Sequence, residues 1–515
     1  MIITKAIDSC KKLWPSTTWA RVLLVRIVIT LWALLMGQVG RAYDTSVLIA
    51  PGNTTVENAP LDAMILSFIS PLCGWDGVYF AAIARGGYEA EEFFAFFPGF
   101  PFVLRIMGDV MQALLGGDSM VSRRPALLFG GVIFNIFAGI AAALALERLS
   151  LTVGRPRQAA ARDALIFAAG PLGVFGSALY SENLFAALTF SGLAELENAV
   201  ALSGRNKKIE KIPAATRSSS YAAAVLFHFF IATLLLIAAA ACRANGMLGG
   251  VFILLATFRV LANVGALANN GGSIFCIFFF GFFFSITITI PFAALALHAA
   301  TLHCDSHTTT TPPPLWCTTT TTTTTTNLSR FLWPPPVYAH VQKTYWDAGV
   351  PFGRWTATHS PALLLALPAA MIAACALYNG LVKLAARVAG GSDAALLHRK
   401  NHRKGRLPLC CRGLAPSDDI FRLLISSDVP YALHLAALVT LALIAAHAQV
   451  STRLAAAASP MLSWYISDAW GGGRRRVNTT TVSSQQFYIR IALTIWCGGY
   501  TLIGAALFCN AFNWT

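Results

Sequence analysis

Residues 221–242 read YAAAVLFHFFIATLLLIAAAAC, a run of 22 residues without a formal charge. As a helix rising 1.5 Å per residue it reaches about 30 Å, the thickness of a bilayer's hydrocarbon core. A helix that is apolar all round belongs either in the interior of a large protein or in lipid. Recurrence decides between the two. Comparable runs occupy 22–40, 126–147, 247–268, 274–300, 361–388, 429–447 and 488–509, and shorter or Pro/Gly-broken ones occupy 95–115, 163–202 and 450–469. The 515 residues are 56% hydrophobic and only 12% charged, with mean hydropathy +0.61, a balance too apolar for a water-facing globule. The expected fold is an all-α polytopic membrane protein, one domain over 1–515, with about ten or eleven transmembrane helices.

The formal net charge of +15 is not a nucleic-acid footprint, because the basic residues sit in short loops between the apolar runs. Lys5, Lys11, Lys12 and Arg21 precede the first run, Arg205, Lys207, Lys208 and Lys211 lie in 203–220, and Arg399, Lys400, Arg403, Lys404 and Arg406 lie in 389–428. The positive-inside rule makes all three cytosolic, so 41–95 and 301–360 face the lumen. Parity is harder to satisfy earlier in the chain. If 22–40, 95–115 and 126–147 all span, then 163–202 crosses once, part of it is re-entrant or half-length, and Arg155, Arg157 and Arg162 fall on the lumenal side against the rule.

The first apolar run lacks a small-residue cleavage site and reads as a retained anchor. Eleven cysteines show no CxxC pair and no metal-type Cys/His spacing, which argues against a zinc site. Cys73, Cys304 and Cys317 are expected in the lumen, where a disulfide and ordinary buried thiols are both open. Asn53 and Asn327 begin sequons in the expected lumenal loops, and Asn478 begins one beside Arg474–Arg476 on the cytosolic side. The insertion at 308–326 includes an uninterrupted threonine tract, Thr318–Thr326. With little apolar surface to bury, that tract is expected to be flexible and to do no chemistry.

Four constellations mix acids, cations and aromatic rings. Loop 41–95 holds Asp44, Trp75, Asp76, Tyr88, Glu89, Glu91 and Glu92. There a carboxylate could take a proton from a sugar hydroxyl while a ring face packs on the pyranose. Against that, Asp44 could cap a helix and Trp75 could anchor at the interface. Glu182 lies between two apolar halves, where an acid is costly unless paired or facing a wet cavity. Tyr338–Gly349, with Gln342, Trp346 and Asp347, offers groups suited to a sugar and a phosphate together. The fourth set is His434, His447, Gln449 and Arg453, whose arginine could clamp a phosphate or snorkel to a headgroup. No P-loop, GxSxG, HExxH or dinucleotide fingerprint occurs, and no close DxD pair, so the donor is expected to be a lipid-linked sugar rather than a metal-held nucleotide sugar.

These blocks, in this order, resemble the PIG-V family, the second mannosyltransferases of glycosylphosphatidylinositol (GPI) anchor synthesis, within the dolichyl-phosphate-sugar-dependent GT-C glycosyltransferases. The resemblance is carried by Tyr43-Asp-Thr-Ser46, Trp75-Asp76 with Gly87-Tyr88, Phe94-Ala-Phe-Phe-Pro-Gly-Phe-Pro101, Tyr180-Ser-Glu-Asn-Leu-Phe185 and Arg243-Ala-Asn-Gly246. It continues through Tyr338–Gly349, Tyr431 with His434, His447-Ala-Gln-Val-Ser-Thr-Arg453 and Cys509–Thr515. Asp347 stands where the family more often has Asn, Ala448 where it tends to have Val, and the threonine tract is an insertion.

What the resemblance implies is a GT-C-like bundle in the endoplasmic reticulum membrane. It would transfer mannose from dolichyl-phosphate-mannose to the first mannose of a mannosyl-glucosaminyl-phosphatidylinositol, with an α1,6 linkage. The donor is β-linked, so the step is inverting and needs one general base but no covalent intermediate, metal or cofactor. Asp44 and Asp76 are the implied base and acceptor-positioning acid, with Asp44 favoured for its place after the first span. Trp75, Tyr88, Glu182, Asn245, Gln342, Trp346 and Asp347 would contact substrate, and His447, Gln449 and Arg453 the donor phosphate. A small accessory membrane subunit fits the same picture. The competing classes are another lumenal GT-C transferase using a dolichyl-phosphate sugar, and a polytopic transporter or scramblase, which should show inverted repeats and midplane acids.

Overall fold

The structure is a computed structural model that describes residues 16–40, 59–205, 214–265, 271–304, 315–318, 336–345, 370–382, 429–444, 448–471 and 484–512, with positions 43, 367 and 385 besides. The described residues are helical, without strands. Seven of their helices are long and apolar enough to cross a membrane, and the apolar segments Asp62–Leu72, Ala370–Val382 and Pro430–Ala442 are shorter. Asp44, Trp346, Asp347, His447, the three sequons, the threonine tract beyond Thr318 and the basic loop 389–428 lie outside the described residues.

The frame is set by α1 (Thr18–Val39), after which come α2 (Asp62–Ile69), α3 (Asp76–Gly86), α4 (Gly99–Leu114) and α5 (Arg123–Thr152). The 30-residue α5 runs antiparallel to α1: Thr18 donates to Glu147 at 3.0 Å, and Ser122, which precedes α5, is held by Asp62 of α2. Then follow α6 (Arg157–Ala169), α7 (Glu182–Arg205), α8 (Ala214–Cys242), α9 (Gly249–Gly265), α10 (Gly271–Thr287) and α11 (Ile290–His303). The last described helices are α12 (Pro336–Tyr345), α13 (Val429–Ile444), α14 (Ala448–Ala458), α15 (Pro460–Gly471) and α16 (Ser484–Cys509).

The run 95–115 does not cross, contrary to the count from sequence. Its helix α4 has only 16 residues and packs on the first third of α5, Leu104 against Gly131 and Gly108 against Leu127. The glycines permit that approach, since a Cβ on Gly130 would lie 2.7 Å from the Met107 carbonyl oxygen. Gly130→Ala should therefore push α4 away from α5 and cost about 1–3 kcal/mol, read as a lower thermal midpoint of the detergent-solubilised protein. An unchanged midpoint would mean that the two helices can part without loss.

With α4 not crossing, the difficulty with Arg155, Arg157 and Arg162 disappears. α5 and α7 run in the same direction, Asn183 at the start of α7 donating to the Asn135 carbonyl of α5 at 2.8 Å and Arg148 pairing with Glu195 further along both helices. Both therefore finish at the end of the bundle that holds Thr18. The segment between them leads back from that end to the start of α7: Asp163 of α6 pairs with Arg155, and α6 stops at Ala169, so the return is a broken one, helical only in its first half. The region 163–202 is thus passed twice, by this broken return and by α7, where the count from sequence expected one crossing, and the arginines lie at the end the charge rule requires.

Residues 170–181 complete the return through a 3-10 turn, Gly173–Gly176. They are held by Arg26 of α1, which is 1% exposed and donates to the Ala168 carbonyl at 3.0 Å and to Ser177 Oγ at 2.9 Å. An arginine within an apolar span is costly unless it has such partners, so this contact fixes the buried turn against α1. α16 closes the other side, Thr501 donating to Ala169 and Gly170 carbonyls at 3.1 Å each. Beyond the end of α11, the disulfide Cys304–Cys317 ties a short helical turn to that helix, while Cys73 is a buried free thiol.

Candidate active site

Four of the sequence-derived candidates meet where the segment 170–181 ends and α7 begins. Trp75 precedes α3 with φ 58° and ψ −127°, a backbone that residues with a Cβ rarely adopt. The turn it makes is held from the segment 170–181, Leu179 N–H donating to the Leu72 carbonyl at 2.8 Å and Asp76 N–H to the Tyr180 hydroxyl at 3.2 Å. Trp75 packs against the main core, and among the described residues its buried indole Nε1 has no hydrogen-bond partner. Asp76 opens α3 and Glu182 opens α7, each a negative charge where the helix dipole favours one.

Two arginines join these acids. Arg453 of α14 donates through one terminal nitrogen to Asp76 Oδ2 at 2.9 Å, and its Nε lies 3.2 Å from Glu182 Oε1. Arg243, just past the end of α8, lies 2.6 Å from the same Glu182 oxygen and donates to Ser181 Oγ at 3.1 Å. The chain of charges is thus Asp76, Arg453, Glu182, Arg243, with alternating sign. Among the described residues neither Glu182 oxygen makes a well-aligned hydrogen bond, so its contacts to the arginines are electrostatic. The Arg453 guanidinium carbon stands 5.3 and 5.1 Å from the ring centroids of Phe175 and Tyr180, within cation–π range. Burial separates the acids: the Glu182 side chain is 0% exposed and that of Asp76 is 27%, which leaves Asp76 as the one a substrate can reach.

A second group lies beside the first. Glu91 accepts from Trp316 Nε1 and from the Tyr345 hydroxyl at 3.0 Å, and His340 Nε2 is 3.6 Å away. Burial, and then the Glu91 carboxylate, push the Tyr345 phenol up to about 12. Tyr88 donates to the Phe96 carbonyl at 2.7 Å and stacks on Phe94 at 4.8 Å; burial raises its pKa, and the residue serves packing. Gln342 sits half-buried on α12, whose Val337, Tyr338 and Val341 pack over Phe94 and Phe97. Asn245 is buried two residues from Arg243, its amide nitrogen without a hydrogen-bond partner among the described residues. Gln449 lies on α14 four residues before Arg453. His434 is buried on Phe252 at 4.9 Å between ring centroids.

Tyr43 is the described neighbour of Asp44. Its N–H donates to the Asn510 carbonyl at 2.8 Å and its ring stacks on Phe512 at 4.8 Å, while Phe508 packs on Tyr180 at 5.7 Å. The chain is therefore delivered to the same corner of the molecule just before Asp44. The functional geometry missed from sequence belongs to Arg243, Tyr180 and Phe175. Arg243 was legible as a charge ending an apolar run, but snorkelling explains such a residue equally well.

The sequence profile described as Mannosyltransferase (PIG-V) matches residues 19–515. "GPI alpha-1,6-mannosyltransferase 2" of Cricetulus griseus is 27% identical over 418 residues, 79% of this chain and 74% of that protein. "GPI mannosyltransferase 2" of Drosophila pseudoobscura pseudoobscura is 26% identical over 466 residues, 88% and 89% of the two chains, and that of Drosophila melanogaster is 25% identical over 507 residues, 95% and 97%. Among solved structures, the Archaeoglobus fulgidus oligosaccharyltransferase AglB with an inhibitory peptide and a dolichol-phosphate aligns over 95% of this chain and 56% of its own, at 13% identity and TM-score 0.44. The profile match runs from the second residue of α1 past the last described helix, and with it the chain belongs to the PIG-V mannosyltransferase family.

Proposed function

We propose that this chain transfers mannose from dolichyl-phosphate-mannose to the first mannose of a mannosyl-glucosaminyl-phosphatidylinositol, making an α1,6 linkage on the lumenal face of the endoplasmic reticulum. The family and the names of its relatives support mannose transfer in GPI-anchor synthesis. The observation that carries the mechanism is the alternating network of Asp76, Arg453, Glu182 and Arg243. Its lumenal placement is supported by Arg155, Arg157 and Arg162 at the opposite end, and by the direction of α1, which leads away from the basic N-terminal segment.

Two guanidiniums beside a half-open carboxylate suit a glycosyl phosphate. The donor's phosphate would compete for the nitrogen that Arg453 gives to Asp76, so donor binding unpairs the acid when it is needed. Among the described residues Asp76 Oδ1 accepts no hydrogen bond, and it is our candidate base. The acceptor's O6 attacks the anomeric carbon, its proton passes to the carboxylate, the carbon–oxygen bond to phosphate breaks, and dolichyl phosphate leaves with the electron pair. The arginines stabilise the charge that grows on that phosphate. Asp44, the other candidate acid of the sequence, is assigned to positioning the acceptor.

Loss of this chain from cells should make the one-mannose GPI precursor accumulate, and accumulation of any other intermediate would refute the step assigned. Arg453→Lys should raise KM for dolichyl-phosphate-mannose about ten-fold or more, because an ammonium lacks the fork that holds phosphate and carboxylate together. An unchanged donor KM in microsomal transfer would remove Arg453 from the donor site.

A further inference from the structure

The back of α3 carries a feature that mannose transfer to a sugar does not use. Asp76 and Tyr79 look toward the charge network and Phe96, whereas Val78, Ala82 and Arg85, spaced one and two turns apart, look the other way. That second face lines a cavity of about 70 Å³ between α3, α2 and the start of α5, walled by Leu66, Ala82, Leu127 and Leu128 and bordered by Arg85 and Arg124. The acids near it are engaged elsewhere. Asp62 accepts from Ser122 N–H at 2.8 Å and Oγ at 2.6 Å, and Asp109 pairs with Arg123. Glu89 lies against the Gly86 backbone beside Arg85, so the uncompensated charge is that of Arg124, which has no ion pair among the described residues. On the outer side of α2, Met64 and Phe68 are 63% and 51% exposed, as expected of a helix turned to lipid.

We propose that this slot seats the phosphodiester of the lipid-linked acceptor, with Arg124 on the phosphate and the first methylenes of one acyl chain in the cavity. Positive charge over an apolar slot at a lipid-facing helix is complementary to a phospholipid and to neither a free sugar nor a soluble phosphate. The assignment rests on the acceptor proposed above.

The test uses the full-length protein. Arg124→Gln, and separately Ala82→Leu to fill the slot, should each raise KM for the one-mannose phosphatidylinositol acceptor about ten-fold with donor KM unmoved. A synthetic mannosyl-glucosaminyl-inositol without phosphate or acyl chains should be used poorly, and equally, by wild type and variants. Unchanged acceptor KM in both variants, or an equal penalty on the phosphate-free acceptor, would overturn the proposal. Diacyl phosphatidylinositol carrying a photoreactive acyl chain gives a readout independent of catalysis. Labelling should map to 62–72 and 123–128 and fall in Arg124→Gln, and labelling that ignores that change would also overturn it. If wild type transfers no mannose to either acceptor, the catalytic reading fails while the labelling still decides the lipid seat.

Discussion

Asp76→Asn is expected to leave the one-mannose GPI precursor unextended in microsomes while the protein accumulates at its normal level. The substitution keeps the shape of the side chain and its N-terminal place on α3 but removes the charge that accepts a proton. A positioned general base contributes typically about 10²–10⁴-fold, so transfer should fall by at least about two orders of magnitude. Stability should fall far less, because the side chain is 27% exposed and Glu182 still lies 3.2 Å from Arg453. Asp44→Asn is the companion variant. Full transfer by Asp76→Asn together with loss in Asp44→Asn would move the base to Asp44, and full transfer by both would remove the mechanism.

Glu182→Gln should act on the fold as well as on the rate. Glu182 is wholly buried between two arginines whose side chains are 9% and 14% exposed, and Gln leaves those cations facing one acid instead of two. Breaking one side of a buried ion pair costs about 3–5 kcal/mol, a large share of the 5–15 kcal/mol that holds a domain folded. The expected result is a strongly lowered thermal midpoint and reduced steady-state protein. Adding Arg243→Gln to Glu182→Gln restores the charge balance and should recover part of the midpoint without recovering transfer. A wild-type midpoint in the single variant would show that the buried charges are not coupled as the distances imply.

The membrane class was readable because it needs only length and apolarity, and the run at 221–242 satisfies both alone. What sequence could not supply was the depth of the shorter elements. The run 95–115 is apolar enough to span, yet α4 starts at Gly99, carries Arg105 and Asp109, and packs through Gly108 and Gly130 on one third of α5. Counting it as a crossing reverses the sides of Arg155, Arg157 and Arg162, and the resulting conflict with the charge rule is the mark that the miscount leaves in the sequence. Arg26 was visible as a cation within an apolar run, but its carbonyl partners lie more than 140 residues away.

The site was legible in its parts. Asp76, Trp75, Glu182 and Arg453 stand out as polar residues at the edges of apolar segments, but their meeting depends on pairs separated by up to 377 residues. Residue spacing along one helix is local information; the pairing of α14 with α3 is not. Tyr88 illustrates the converse, an aromatic in a promising loop whose hydroxyl is spent on the Phe96 carbonyl.

The central claim is that this chain itself catalyses the second mannose addition. It is tested most directly by the purified full-length protein in liposomes, supplied with dolichyl-phosphate-mannose and the one-mannose GPI precursor. The expected result is a two-mannose product whose new residue is released by an α1,6-specific mannosidase, formed by wild type and not by Asp76→Asn. A folded wild-type protein that leaves the precursor unextended, or forms a different linkage, would contradict it.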